Sequence, residues 1–192
     1  QQLMACGTLT KGRGLDCNRI SGGIKNIYFA VYDQVLSTTV NVDEITDIDM
    51  GTSSLYKYTM PLGVASLTDT ITGSRENGTV FFTPTVNIIL NRLTKEDQNE
   101  IKLLAQTKLV IFAELNATLA SNGHTVIVCL GRVNGMELNA GTMDSGAAFG
   151  DRGGYTLTFD GLETEPFIMV KDYTATPFDN ADSSNPIPII SA

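Results

Sequence analysis

Hydrophobic residues along this chain fall mostly at every second position or in short unbroken runs, which is strand spacing, and only one stretch switches to helical spacing. Tyr155, Leu157 and Phe159 alternate with Thr156, Thr158 and Asp160, and these polar positions, with Lys25, suit a sheet with one wet face. Across 79–91, Val80, Phe82, Val86, Ile88 and Leu90 share one parity, with Pro84 between them. A proline cannot donate to a strand ladder, so this pattern predicts one long strand that is kinked or edge-exposed at Pro84. The stretches 24–36 (IKNIYFAVYDQVL) and 108–119 (with LVIFAEL) are dense in β-branched and aromatic residues and read as strands. Shorter strands are predicted over 55–62, 64–71, 125–130 and 167–170, separated by turn signals at Pro61 and Gly63, RENG 75–78, SNGH 121–124, 131–135 and 161–166. The segment 136–154, rich in Gly, Ala, Asp and Ser, reads as a loop.

The helical exception is 94–106, TKEDQNEIKLLAQ. Thr94 suits an N-cap, Glu96 and Asp97 suit the positive end of the helix dipole, and Ile101, Leu104 and Ala105 form one apolar stripe. The other face carries Lys95, Glu96, Asn99, Glu100 and Lys102, mixed in sign, as on the outside of a sheet. Strand, helix and strand over 79–119 thus form the unit on which the rest is hung.

Composition fits this reading. With 192 residues, 42% hydrophobic, the chain can bury a full core, and 18 glycines with only 18% charged residues favour short strands and tight turns. A single β-rich domain over 24–171 is expected. It is preceded by an arm or loop at 1–23 and followed by an extended arm at 172–192, which bears prolines and little periodicity. A net charge of −8 argues against a protein that grips nucleic acid, which takes clustered Lys and Arg. No apolar run approaches the roughly 18–20 residues of a membrane helix.

Candidate chemistry is sparse. Cys6, Cys17 and Cys129 are odd in number and contain no CxxC pair, so reduced thiols in a cytoplasmic setting are expected. Met4 reads as a natural start with 1–3 as a remnant; Leu3–Cys6 faintly resembles a lipoprotein cleavage box without the hydrophobic segment such a box follows. The Gly7–Gly12 spacing lacks the Lys and Ser or Thr of a phosphate loop, since Arg13 and Gly14 stand there. Asp43, Glu44, Asp47 and Asp49 lack the glycine and terminal carboxylate of a calcium loop and read as a solvated acidic edge within 40–51. His124, the only histidine, reads as a surface turn residue. Asp144 and Asp151, flanking the glycine-rich loop, form a candidate carboxylate pair but read as turn residues. Asn77 and Asn116 begin sequons that matter only in a secreted eukaryotic protein, and the absence of Trp weighs against a sugar platform. No catalytic, cofactor-binding or metal residue is assigned.

The order strand, helix, strand, SNGH hairpin, GRVNG, glycine-rich loop and the ending over 150–166, GDRGGYTLTFDGLETEP, resembles the tail tube proteins of tailed bacteriophages. The similarity covers about 80–170, and GGIKNIYFAVY near the start resembles the first strands of such proteins. The resemblance implies a β-sandwich or half-barrel flanked by one helix, and hexameric rings stacked into a hollow tube that passes DNA. It also implies no enzyme activity, no cofactor, other tail proteins as partners, and a virion location after assembly in the host cytoplasm. Tail terminator, head-to-tail connector or minor capsid rings fit the same motifs. A monomeric adhesin or surface-binding domain, and a hydrolase using Asp144, Asp151 or His124, are the readings from other classes. In the ring reading the helix braces the outer wall, and the opposite sheet face and end loops carry function.

Overall fold

A computed structural model of the chain describes residues 9–14 and 21–191. Cys6, Cys17, Gly7 and the possible start at Met4 lie outside them, as does most of the 1–23 segment. The strands are β1 (Ile24–Val31), β2 (Ser37–Asn41), β3 (Glu44–Asp49), β4 (Leu55–Thr59), β5 (Ser66–Ser74) and β6 (Thr79–Asn91), then β7 (Leu109–Thr118), β8 (Thr125–Leu130), β9 (Glu137–Asp144), β10 (Gly154–Asp160), β11 (Ile168–Val170) and β12 (Ile189–Ile190). The single helix of more than one turn among the described residues, α1 (Lys95–Gln106), joins β6 to β7. The fold is mainly β: an eight-stranded sheet in the order β12-β4-β1-β7-β8-β11-β3-β2 lies on a four-stranded sheet in the order β5-β6-β10-β9. This is a β-sandwich with one flanking helix. No helix is long and apolar enough to cross a membrane.

The large sheet is buried on both faces, and this explains why its central strands read as unbroken apolar runs. Ile27 and Phe29 of β1, Ile111 and Ala113 of β7, and Val128 and Leu130 of β8 face the small sheet, where they meet Val86, Ile88, Leu157 and Phe159. The alternate residues Tyr28, Ala30, Val110, Phe112, Ile127 and Cys129 face a second core. The sheet curves around that core, since Leu55 of β4 and Ile45 and Ile48 of β3 both enter it across four intervening strands.

The remainder of this second core comes from the C-terminal segment. Residues 172–191 were expected to extend as an arm; instead Phe178, Ala181 and Ile187 are buried, and β12 pairs with β4. Phe178 sets its ring edge-on to Tyr28 and Phe112, at 4.9 and 5.4 Å between centroids. A few isolated apolar residues among prolines give no period, so the sequence pattern could not reveal this cover.

The 40–51 stretch also departs from expectation. It holds a hairpin, β2 to β3, turned at Val42 and Asp43 with φ of 48° and 62°. These are the two positive values of a type I′ turn, made without the Asn-Gly that normally marks one. Burial of Ile45, Ile48 and Met50 fixes the hairpin despite its turn residues. Asp43 and Glu44 are exposed, as a solvated cluster requires, but the edge is corrected: β3 is an interior strand between β2 and β11. Asp47 and Asp49 accept backbone N–H bonds from Ser183 and Gly51.

Strand β6 is one long strand, as predicted, but an interior one. Pro84 pairs with Asp69 of β5, and its carbonyl accepts the Gly161 N–H just where the chain leaves β10. The missing proline donor thus faces the end of the neighbouring strand, where a ladder bond is dispensable. A further strand, β9, occupies much of the segment read as loop. It lies at a sheet edge with only Leu138 half-buried, so no apolar alternation marked it.

Helix α1 is capped by the Thr94 hydroxyl, which accepts the Asp97 N–H at 3.1 Å. Ile101 and Leu104 are buried against the inter-sheet core, whereas Ala105, expected in the same stripe, is exposed. The helix closes one side of the sandwich, next to β9, on a narrow contact. Replacing Thr94 with alanine is expected to cost about 1 kcal/mol, read as a lower midpoint in urea with an unchanged slope.

Candidate functional site

The small sheet has one face in the core and one in solvent. On its solvent face stand Ser66, Thr68, Thr70 and Thr72 of β5, Thr83, Thr85 and Asn87 of β6 with the apolar Phe81 and Ile89 among them, Thr156, Thr158 and Asp160 of β10, and Ala140 and Thr142 of β9. Thr158 bonds Asn87 at 2.8 Å, and Asn139 bonds Asp160 at 2.8 Å. The predicted wet face of Thr156, Thr158 and Asp160 is thus present. Lys25, placed in the same category from sequence, belongs to β1 of the doubly covered sheet and is exposed at the register shift between Ile24 and Asn26. The four strands of the small sheet contain no Lys or Arg, and their charges are Asp69, Glu137, Asp144 and Asp160. Arg152, from the loop before β10, reaches the border of the face to donate to Thr156.

Both outer strands of this sheet lack a partner on one side. β5 and β9 are its edges, nine and eight residues long. Edge strands usually carry inward charges, prolines or lysines that discourage pairing with another chain. Here both are exposed and neither contains proline or lysine; the inward charge is Asp69 of β5, which accepts the Phe167 N–H, and β9 carries a bulge beside Thr158 and Phe159. Ser66, the first residue of β5, aligns through Asn87 and Thr158 with Ala140 in the middle of β9, and Thr68 with Glu137, so the two edges overlap only over the start of β5 and are otherwise staggered. A sheet with such a stagger continues into its neighbour at a tilt, as closed barrels require.

The candidate catalytic residues are dispersed into structural tasks. His124 lies in the expected turn between β7 and β8 but is not a free surface residue. Its Nδ1 is 3.0 Å from Asp172, and its ring stacks on Tyr173 at 4.4 Å and 7°. Asp172 also accepts from the Asn122 amide. Against the cost of its desolvation, the bonds from Asn122 and His124 hold its carboxyl below the ordinary range. Together these contacts tie the start of the C-terminal segment to the large sheet. Asp144 accepts the Gly146 N–H, and Asp151 accepts those of Ala147 and Ala148, which lower its pKa. Each carboxylate shapes the 145–153 loop. The Cys129 thiol is fully buried, and burial pushes its pKa well up, which disfavours the nucleophilic thiolate. Among the described residues no group of three or more His, Cys, Asp or Glu could hold a metal.

Two buried acids escaped the sequence reading. Glu114, in the middle of the apolar run of β7, accepts from Asn26 at 2.7 Å, Tyr28 at 3.1 Å and Thr125 at 2.8 Å. Burial and the neighbouring Glu114 charge push the Tyr28 hydroxyl pKa upward. Glu163 accepts the Asn134 N–H on both oxygens, and its backbone bridges Phe82 in both directions. Burial raises its pKa, opposed by the N–H groups of Asn134, Val133 and Gly135. A lone acid within an apolar run was the available signal for Glu114; nothing comparable marked Glu163.

The C-terminal segment has its own clasp. The Asp179 carboxylate accepts from the Thr174 hydroxyl and from the N–H groups of Thr174, Ala175 and Thr176. These bonds, that of the Thr174 side chain first, hold its pKa far below the ordinary range. A depressed carboxyl pKa stabilises the fold fully above the unfolded value, about 3.9, and loses that contribution as pH falls through the folded value. Amide exchange at Thr174, Ala175 and Thr176, corrected for intrinsic rates, is therefore expected to stay slow from pH 7 to 4 and to quicken below. Asp179→Asn should quicken it at every pH.

No protein-family model matches the chain, and neither a curated protein nor a solved structure matches it.

Proposed function

We propose that this chain is a structural subunit that closes head to tail into a ring, and that such rings stack into a hollow tube of the tail-tube kind through which DNA passes. The observation that carries this reading is the four-stranded sheet with two long, unpaired edges on opposite sides and a hydroxyl-rich face without strand lysines or arginines. Edges on opposite sides form a heterologous interface, and repeated heterologous contacts close into a ring or run on as a filament. Continuation of the sheet from copy to copy lines the ring with the polar face. Apart from Arg152 at its border, this face presents hydroxyls, amides and scattered carboxylates to phosphate, so a polyanion meets few counterion-releasing contacts and slides. Connector, terminator and minor capsid rings share this logic and are the alternatives within it. The helix, on the core side of the sheet, stands outside the lumen and acts as a brace.

Negative-stain microscopy of the concentrated protein is expected to reveal rings or tubes with an open centre. The same particles should not retain duplex DNA at physiological salt. A species that stays monomeric at high concentration under all conditions overturns the proposal, and tight DNA binding overturns the lumen assignment.

A further inference from the structure

We infer that the apolar groove between α1 and β9 receives the β5–β6 hairpin of a second copy of this chain, with Ile71 as the central inserted side chain; this rests on the ring reading above. Helix α1 buries only Ile101 and Leu104. A groove of about 310 Å³ remains between it and β9, with Leu138 and Leu157 among its lining residues and Met143, 57% exposed, beside them. That is about twice the roughly 150 Å³ of a cavity that admits benzene. Left empty, it is an apolar trough beside an unpaired strand.

The matching protrusion lies at the other edge. Beyond Pro84 the β5–β6 hairpin has no β10 partner, and Ile71 and Val80 are 69% and 62% exposed. The pairing Leu67↔Val86, Ile71↔Phe82 and Gly73↔Val80 places both on the core-side face of the sheet, in line with buried Val86. In β9 the core-side residues are Leu138, Gly141 and Met143, opposite Phe159, Leu157 and Tyr155. When β5 of one copy extends the sheet beyond β9 of the next, these two core-side rows become neighbours. The helix side of β9 is the side to which Ile71 and Val80 then point.

Direction and charge agree. Each neighbouring pair in the small sheet is antiparallel, so β5 and β9 of successive copies in one continuous sheet meet antiparallel as well. Antiparallel pairing over the full edges brings the hairpin tip to the beginning of β9. Arg75 at that tip thereby arrives beside Glu137. The two strands are also nearly equal in length, nine and eight residues.

The test uses the full chain with Cys6→Ser and Cys17→Ser, leaving buried Cys129. The double variant Ile71→Cys with Ala105→Cys is oxidised at assembling concentration and run on a non-reducing gel, beside each single variant and a sedimentation measurement. A ladder of covalent oligomers from the double variant alone is expected. Ile71→Asp is expected to raise the concentration needed for assembly roughly tenfold or more, since an exposed apolar side chain would lose its burial in the contact. Assemblies that sediment but give no ladder overturn the hairpin-in-groove contact and leave the ring reading standing. Dimers from the Ile71→Cys single variant overturn it in favour of a symmetric contact. Absence of both assembly and ladder overturns the ring reading and this contact with it.

Discussion

Replacing Phe178 with alanine is expected to be among the most damaging single changes in this chain. Its ring is buried between Tyr28 and Phe112 in the second core, where large-to-small changes at aromatic residues cost about 3–5 kcal/mol. At about 2–4 °C per kcal/mol for a chain of this size, the melting temperature should fall by roughly 10 °C. Phe178 also sits at φ 65°, in the left-handed region that suits glycine. Phe178→Gly should therefore be no worse than Phe178→Ala, although at ordinary core positions glycine is the more harmful. Thermal melts of the two variants check the ordering. Limited proteolysis supplies the second reading: cleavage within 172–191 should quicken in both variants before the sandwich itself is attacked. Equal cleavage in the parent protein and both variants would mean that the segment is held by its hydrogen bonds and not by the ring.

Glu114→Ala is expected to have a comparable effect by another route. Three donors converge on this carboxylate inside the second core. Its loss leaves the buried Asn26 amide and Tyr28 hydroxyl without this acceptor, while the half-buried Thr125 hydroxyl keeps Tyr173, and each buried unsatisfied group costs about 1–3 kcal/mol. Even the lower figure gives about 2 kcal/mol in total. Glu114→Gln keeps the volume and one acceptor oxygen, while the Tyr28 and Thr125 hydroxyls can rotate to accept from its amide. It should cost distinctly less. The pair of denaturation curves separates lost hydrogen bonding from lost volume. If glutamine proved as harmful as alanine, the negative charge itself would be the stabilising feature. Thr125 also bonds the Tyr173 hydroxyl at 3.1 Å, so damage at Glu114 should spread to the docking of the C-terminal segment.

These two residues sit far from the sheet edges on which the ring proposal depends. Both are expected to lower the yield of folded subunit while leaving the edge chemistry of β5 and β9 intact. Ile71→Asp should do the reverse, because Ile71 is exposed in the single chain. This contrast separates residues that build the subunit from residues that join subunits.

The sequence by itself determined the β-rich class, the one helix with its Thr94 cap, the long strand through Pro84, and the strands β7, β8, β10 and β11 to within a residue or so. These are features of local periodicity and local capping, and each is written in consecutive residues. It also identified Thr156, Thr158 and Asp160 as a wet face, because a sheet covered on one side alternates. It did not reveal β9, the Val42–Asp43 turn, the buried acids Glu114 and Glu163, or the docking of Phe178. Strand β9 shows no alternation because almost nothing on it is buried, and Val42–Asp43 lacks turn chemistry because core residues Ile45 and Ile48 hold the hairpin. Glu114 draws its partners from β1 and β8, and Phe178 its aromatic neighbours from β1 and β7. Only the tertiary structure decides such matters, because desolvation and packing depend on which strands the fold brings side by side. Periodicity along the chain records how much of each strand is covered, not what covers it.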